Sequence, residues 1–161
     1  MKIGVVCDTH NNVKNVKRIV ELFNDAQVER VIHTGDITKG TTLDLFGELA
    51  CPLYGVFGNN DMEREGLDQS IARHRFEFQE PPLRLRWHGR SILVVHDPAM
   101  LGNVDLGDSE LVLHGHTHLK REEWNAERLI FNPGECAGQM TGYNAVGVVD
   151  LTTLKVELLK F

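Results

Sequence analysis

Five short polar segments of this sequence carry side chains that could do chemistry, and each directly follows an apolar run. The segments are Asp8-Thr9-His10, Gly35-Asp36, Gly58-Asn59-Asn60-Asp61, His96-Asp97 and Gly115-His116-Thr117-His118. A short apolar run bounded by turn residues predicts a buried strand, and open α/β sheets bind ligands at the carboxyl ends of their strands. We therefore expect the five segments to deliver their side chains to one edge of a sheet.

The donor types in these segments indicate a metal site. The side chains that offer oxygen or nitrogen are Asp8, His10, Asp36, Asn59, His96, His116 and His118. They are too many for one tetrahedral ion, and the mixture suits Mn, Fe, Ni, Co or Zn better than Mg or Ca alone. Asp8 and His10, like His116 and His118, are two residues apart, which in an extended segment directs both side chains to one side. Two ions that share one carboxylate are the economical arrangement.

The elements that must position these segments alternate in the first half of the chain. Apolar runs at residues 3–7, 31–34 and 53–57 predict strands, and the apolar residues between them recur at helical spacing. Asn11 or Asn12 is expected to cap the first helix, and the second is expected to begin at Thr41 or Thr42. Strands that alternate with helices predict a parallel sheet.

The second half of the chain is rich in predicted strands. They lie at residues 83–87, 91–95, 111–114, 122–124, 129–131, 145–150 and 155–159. Only the stretch 98–108 leaves room for another short helix. Because no linker, repeat or low-complexity tract separates the halves, we expect one domain over residues 1–161.

Composition excludes several classes of protein. The 161 residues are 42% hydrophobic and 25% charged, and 17 Lys+Arg against 23 Asp+Glu give a net charge of −6. These values exclude intrinsic disorder and coiled coils, and they argue against stable nucleic-acid binding. Three cysteines without a Cys-x-x-Cys pair, no signal sequence and no run of about 20 apolar residues predict a cytoplasmic protein without a membrane span.

Taken in order, the five segments resemble the motifs of the calcineurin-like metallophosphoesterases. The family pattern reads Asp-x-His, Gly-Asp, Gly-Asn-His-Asp/Glu, His and Gly-His-x-His, and this chain departs from it at Asn60. The resemblance extends beyond Asn132-Pro133-Gly134-Glu135, whose Asn-Pro-Gly is typical of the small bacterial and archaeal phosphodiesterases of the family. The chain is therefore expected to hold little more than the catalytic domain.

The resemblance implies an α/β fold, a four-layer αββα sandwich of two mixed β-sheets flanked by helices. It implies that one metal is held by Asp8, His10, Asp36 and His118, and the other by Asp36, Asn59, His96 and His116, with Asp36 as the bridge. Two divalent ions are expected, with manganese ahead of nickel, iron, cobalt or zinc. The implied reaction is in-line attack of a metal-bridging hydroxide on a small phosphodiester.

Asp36, His96 and Asn60 are the residues expected to take part in catalysis. Asn60 stands where many relatives carry the His that serves as general acid, and an amide cannot transfer a proton at working pH. We therefore predict a preference for esters with acidic leaving groups and weak turnover of alkyl monoesters. A second departure is Asp97, where Gly is common. Asp97 is expected either to orient a neighbouring imidazole or to face solvent.

Each motif taken alone also has a simpler interpretation. Asp8 could cap a helix, the segment 58–61 could be only a turn, and His96 could be structural. His114 could replace a ligand of the following loop, but Gly115 is expected to break the strand, so that His114 either supports a ligand or serves in packing. These simpler interpretations do not account for the order and completeness of the set.

The rival function is a non-catalytic protein-binding scaffold, as in the retromer subunit that is built on the same fold. A scaffold has no chemical need for a complete ligand set, so the sequence favours the enzyme. The physiological substrate and the native metal stay open, and so does assembly into a homo-oligomer.

Overall fold

Strands and helices alternate in the first half of the chain, and strands dominate the second half. The computed structural model describes residues 1–140 and 142–161. In that part the strands are β1 (Lys2–Val6), β2 (Arg30–His33), β3 (Leu53–Val56), β4 (Glu77–Gln79), β5 (Leu83–Trp87), β6 (Arg90–Val94), β7 (Leu111–Leu113), β8 (Arg121–Asn125), β9 (Arg128–Asn132), β10 (Ala145–Asp150) and β11 (Lys155–Lys160). The helices are α1 (Val13–Asp25), α2 (Gly40–Leu43) and α3 (Arg64–His74), with 3₁₀ helices at Asp44–Glu48 and Pro98–Gly102.

The first sheet combines both halves of the chain. Its order is β11-β10-β1-β2-β3-β4, in which β1 to β4 are parallel and β10 and β11 run antiparallel to their neighbours. The predicted parallel sheet is therefore confirmed for the first four strands and extended by the last two. Strand β1 lies inside this sheet, and its Val and Ile side chains are buried on both faces.

The second sheet consists of β5-β6-β7-β9-β8 and is also mixed. Its three inner strands are parallel, and β5 and β8 pair antiparallel at the two edges. The inner strands are almost wholly buried. The side chains of β8 are mostly exposed, without alternation between buried and exposed positions. Parallel strands need cover on both faces, which the remaining layers supply.

Three apolar clusters hold the layers together. The helices pack on the first sheet through a cluster that includes Phe23, Phe46 and Leu67. The two sheets face each other through Ile3, Phe131 and their neighbours. Leu93, Val112 and Ile130 on the outer face of the second sheet pack against Leu101, Val104 and Leu106, in and just after the second 3₁₀ helix. The predicted four-layer α/β sandwich is confirmed, and its fourth layer is one short 3₁₀ helix with its flanking loop.

The sequence patterns predicted the bounds of most strands to within one or two residues of those observed. Asn12 caps α1, as one of the two predicted residues, because its side chain accepts a hydrogen bond from the amide of Asn15 at 3.0 Å. The second predicted helix is split into α2 and a 3₁₀ helix. Strand β4 was not predicted, because three residues with mostly exposed side chains carry no apolar run. Among the described helices, none has the length and apolar character needed to cross a bilayer.

Candidate metal centre

The five polar segments meet at one end of the sandwich, as predicted, because each follows the carboxyl end of a parallel strand. They follow β1, β2, β3, β6 and β7. Backbone hydrogen bonds tie the segments to one another: the amide of Asp8 donates to Gly35, that of His10 to Asp36 and that of Gly115 to His96. The edge is therefore one hydrogen-bonded unit and not five independent loops.

One group of donors comprises Asp8, His10 and His118, whose ligand atoms lie within 4.8 Å of one another. The Nε2 atoms of His10 and His118 are 3.4 Å apart, and Nε2 of His118 is 3.7 Å from Oδ1 of Asp8. Two imidazole nitrogens beside a carboxylate oxygen form a donor set for a borderline divalent ion.

A second group comprises His96, His116 and Asn59. Nε2 of His96 lies 2.9 Å and Nδ1 of His116 lies 3.0 Å from the same Asn59 oxygen, and the two nitrogens are 3.2 Å apart. The Asn59 oxygen thus points between the two imidazoles, where an amide oxygen can complete a set of ligands.

Asp36 lies between the two groups. Its Oδ2 is 3.9 Å from Nε2 of His10, and its Oδ1 is 3.5 Å from Nε2 of His96. The carboxylate therefore presents one oxygen to each group, which is the geometry that a bridging ligand needs. Asp8 also lies within 4.8 Å of Asp36 and His96, so two carboxylates border both groups.

Five of the predicted ligands have left-handed backbone, which sets the direction of their side chains. The φ angles are +46° at Asp8, +45° at His10, +61° at Asp36, +68° at His116 and +55° at His118. Extended backbone with alternating side chains was therefore the wrong explanation for the Asp-x-His and His-x-His spacings. Left-handed backbone at non-glycine residues is unfavourable by on the order of 1 kcal/mol each, and such strain clusters at functional sites.

Two imidazoles are oriented by hydrogen bonds on their far nitrogens. Nδ1 of His96 donates to the carbonyl of Thr34 at 2.9 Å, and Nδ1 of His118 lies 2.6 Å from Oε2 of Glu135. Each bond leaves Nε2 facing the cluster as an acceptor, the arrangement seen in metal-binding histidines. Glu135 is 1% exposed, and its other oxygen accepts from the amide of Gln139. Sequence reasoning assigned no role to Glu135.

Asp61 is a second functional residue that sequence reasoning left without a role. Its carboxylate accepts backbone N–H groups from Asp36, Ile37, Thr38 and Gly58 at 2.7–2.9 Å. Asp61 therefore holds the loop after β2 against the loop after β3. Its place at the end of the Gly-Asn-Asn-Asp segment was the available signal, because buried Asp commonly accepts loop amides.

Two buried carboxylates in the cluster favour the binding of a cation. Asp8 is fully buried and Asp36 is 2% exposed, and among the described residues the basic groups within 4.0 Å of either carboxylate are imidazoles. Burial raises the pKa of the Asp8 carboxyl, while His96 and His118 act in the opposite direction. Buried carboxylates surrounded by imidazoles fit divalent ions, because the ions supply positive charge to the carboxylates.

The side chain of Asn60 contacts the carboxylate of Asp36. Its Nδ2 donates to Oδ2 of Asp36 at 2.6 Å, and its backbone amide donates to Oδ1 at 2.9 Å. Asp97 accepts from the amide of Ala99 at 2.8 Å and so caps the 3₁₀ helix that follows, which is neither of the two roles expected for it. His114 is buried, with Nδ1 3.0 Å from the carbonyl oxygen of Gly115, as expected for a packing residue.

The comparison with protein families agrees with this geometry. The family described as "Calcineurin-like phosphoesterase superfamily domain" matches residues 1–154. This chain belongs to the calcineurin-like phosphoesterase superfamily. Phosphodiesterase MJ0936 of Methanocaldococcus jannaschii, a small member of the superfamily, is 32% identical over 159 residues, which cover 93% of each protein. The predicted resemblance is confirmed at the level of the family and of its small archaeal and bacterial members.

Several solved structures share the fold over almost the whole chain. An archaeal phosphodiesterase aligns over 100% of both chains at 30% identity, with a TM-score of 0.90. The Escherichia coli phosphoesterase YfcE has a TM-score of 0.75 at 19% identity over 99% of this chain and 98% of its own. Entamoeba histolytica Vps29 complexed with zinc has a TM-score of 0.68 at 16% identity, over 100% and 98%. At these lower identities YfcE and Vps29 show the fold alone.

Proposed function

We propose that this member of the superfamily is a phosphodiesterase that depends on two divalent metal ions and hydrolyses small phosphodiesters. The observation that carries the proposal is the buried Asp36 carboxylate, with one oxygen toward each of two donor groups. The activity named for MJ0936 and for the archaeal structure supports the same reaction class. A cytoplasmic location remains the expectation from the sequence.

The proposed ligands divide into two sets that share Asp36. The first set is Asp8, His10, Asp36 and His118, and the second is Asp36, Asn59, His96 and His116. When bound, two divalent ions supply positive charge to the phosphate oxygens and make water a better nucleophile. Imidazole, carboxylate and amide donors are compatible with manganese, which is the first expectation, and with nickel, iron, cobalt and zinc.

The protein's own contribution is orientation and charge. The Thr34 carbonyl and the Glu135 carboxylate hold two imidazoles with Nε2 toward the cluster. Asp61 fixes the loop that carries Asp36. Ligands held in this way need little reorganisation as charge develops on the phosphate, which is how preorganised groups lower a barrier.

Asn60 limits the range of leaving groups. Its amide donates to Asp36 and carries no proton that it can transfer, so the leaving oxygen must depart with little assistance. We expect aryl esters to be hydrolysed faster than alkyl esters. In Asn60→His, turnover of an alkyl diester such as dimethyl phosphate should rise relative to turnover of bis(p-nitrophenyl) phosphate by about tenfold or more. Unchanged rates for both esters would show that position 60 does not govern leaving-group departure.

The test of the function is hydrolysis of bis(p-nitrophenyl) phosphate by purified protein, with manganese and with a chelator. The account predicts activity with manganese, loss with chelator and loss of at least about 100-fold in Asp36→Asn. Asp68→Asn, on the exposed face of α3, is the matched control and should retain activity. Absence of hydrolysis with every divalent ion would favour the scaffold function instead.

The scaffold remains the second candidate because Vps29 proteins share the fold. One of those structures is described as complexed with zinc, so metal binding does not separate the two candidates. Hydrolysis does separate them, and the activity named for MJ0936, which is 32% identical to this chain, favours the enzyme.

A further inference from the structure

Two hollows border the metal-ligand cluster, and each adjoins a different donor group. The larger hollow, about 1000 Å³, has His118 and Glu135 in its wall. The smaller hollow, about 350 Å³, has Asn59, His96 and His116 in its wall. A phosphodiester carries two substituents on one phosphate, so a diester centred on the cluster would place one substituent toward each hollow.

The difference in volume distinguishes the two substituents. Small-molecule sites typically enclose roughly 300–1,000 Å³, so the larger hollow can take a bulky group and the smaller one a compact group. The larger hollow is continuous with the first donor group through His118, which belongs to both. A ligand whose phosphate lies on the cluster therefore reaches this hollow without a separate entrance.

The wall of the larger hollow is apolar and aromatic. Leu119, Met140 and Tyr143 contribute to it, and Tyr143 is 70% and Leu119 62% exposed. An exposed tyrosine ring offers a flat surface on which an aromatic base can stack, at low cost in side-chain entropy. Contiguous exposed apolar residues mark ligand-binding or interaction sites, and here they border the donor cluster, where a substrate group would lie.

The charge of the wall favours an anionic ligand over a protein segment. Lys120 and Lys160 line the hollow, and the ammonium group of Lys120 is paired with the carboxylate of Glu122 at 2.9 Å. The carboxylate in the wall, Glu135, is already engaged by His118. Lysines and an aromatic ring in the wall of one hollow suit a nucleotide, in which a flat base and an anionic phosphate lie on one molecule.

We propose that the larger hollow is a nucleoside subsite, in which Tyr143 stacks against the base of a nucleotide phosphodiester whose phosphate lies on the ligand cluster. This inference rests on the proposed phosphodiesterase function and adds the substrate class to it. Leu119 contacts the other face or edge of the nucleoside, and the smaller hollow takes the second substituent.

The test compares two ligands that share a phosphate and differ in the nucleoside. Manganese-loaded protein is titrated by calorimetry with AMP and with methyl phosphate. AMP is expected to bind about tenfold more tightly than methyl phosphate, and Tyr143→Ala should reduce that ratio about fivefold or more. Leu119→Ala should reduce the ratio in the same direction. Trp124→Ala, an exposed aromatic residue on β8, is the matched control and should leave the ratio unchanged.

Two results would overturn the subsite. One is equal affinity for AMP and methyl phosphate in the unmodified protein, and the other is an unchanged ratio in Tyr143→Ala. Either result would favour an apolar segment of a protein partner as the occupant. The titrations measure binding, so a negative result in them counts against the nucleoside subsite only. Absence of turnover in the hydrolysis assay would count against the phosphodiesterase function itself.

Discussion

Individual residues of the cluster are held in conformations that the folded chain must impose. Asp8 and His118 have left-handed backbone, and their side chains are fixed by contacts from distant segments. The amide of His116 donates to both oxygens of Asp8 at 2.9–3.1 Å, and Glu135 orients His118. Residue type and order sufficed to predict which side chains the fold brings together.

The supporting residues could not be predicted in the same way. Asp61 binds amides of the loop that carries Asp36, up to 25 residues away in sequence, and Glu135 binds an imidazole 17 residues away, and a local motif does not identify such distant partners. Their motifs were visible in the sequence, but their roles required the geometry.

His33 makes the stability of the fold sensitive to acid. Gly35 donates its amide to Nδ1, so Nε2 carries the proton and donates to Thr9, and burial lowers the pKa of the ring from 6.5 to about 3. Because the unfolded chain takes up this proton first, stability is lost as the pH falls from about 6.5 toward 3. Between pH 7 and pH 4, the metal-free protein should lose about 3 kcal/mol more unfolding free energy than His33→Gln.

Urea unfolding at both pH values measures this difference. The control is His88→Asn, an exposed turn residue with left-handed backbone that Asn tolerates, and its pH dependence should match that of the unmodified protein. An equal pH dependence in His33→Gln would contradict a buried neutral imidazole at position 33.

Glu135 is expected to determine metal affinity through His118. Glu135→Gln keeps an acceptor but loses the charge, so manganese affinity should fall about tenfold, and Glu135→Ala should lower it about 100-fold. Calorimetric titration with manganese measures both changes. Glu127→Gln, in an exposed turn, is the matched control. Full affinity in Glu135→Ala would show that the 2.6 Å contact has no effect on metal binding.

The elements gather the ligands because parallel strands end at the same edge. This arrangement was predictable, since each polar segment follows an apolar run. The pairing of β10 with β1 was not predictable, because it joins the two ends of the chain and leaves no local signature, and β11 extends the sheet by pairing with β10. Strand β4 was not predictable for a different reason. It lies at the edge of the sheet with mostly exposed side chains, so its sequence has no apolar run.

The packing of α2 against α3 depends on a glycine. A Cβ on Gly40 would overlap the backbone carbonyl of Gly66, which cannot move aside as a side chain could. Gly40→Ala should therefore lower the unfolding free energy by about 3 kcal/mol, although alanine is the better helix former. Gly102→Ala is the control, since its Cβ would meet nothing within 4 Å. Denaturant unfolding of both variants tests this, and equal stability would contradict the close helix contact.

At the scale of the whole molecule, the site exists only when both sheets are in place. Asp8 and Asp36 follow strands of the first sheet, whereas His96 and His118 follow strands of the second. We therefore expect metal binding to be coupled to the association of the two sheets, because the unfolded chain has no preformed site. The family resemblance predicted the sandwich, and composition with periodicity alone predicted only its class.

The measurement that tests the central claim most directly is the number of metal ions bound per chain. Protein purified without chelator, equilibrated with manganese and freed of excess ion, is analysed by elemental mass spectrometry. The account predicts two ions per chain, and at most one in Asp36→Asn, because that carboxylate is shared. A single ion in the unmodified protein, or two ions retained in Asp36→Asn, would contradict a dinuclear centre bridged by Asp36.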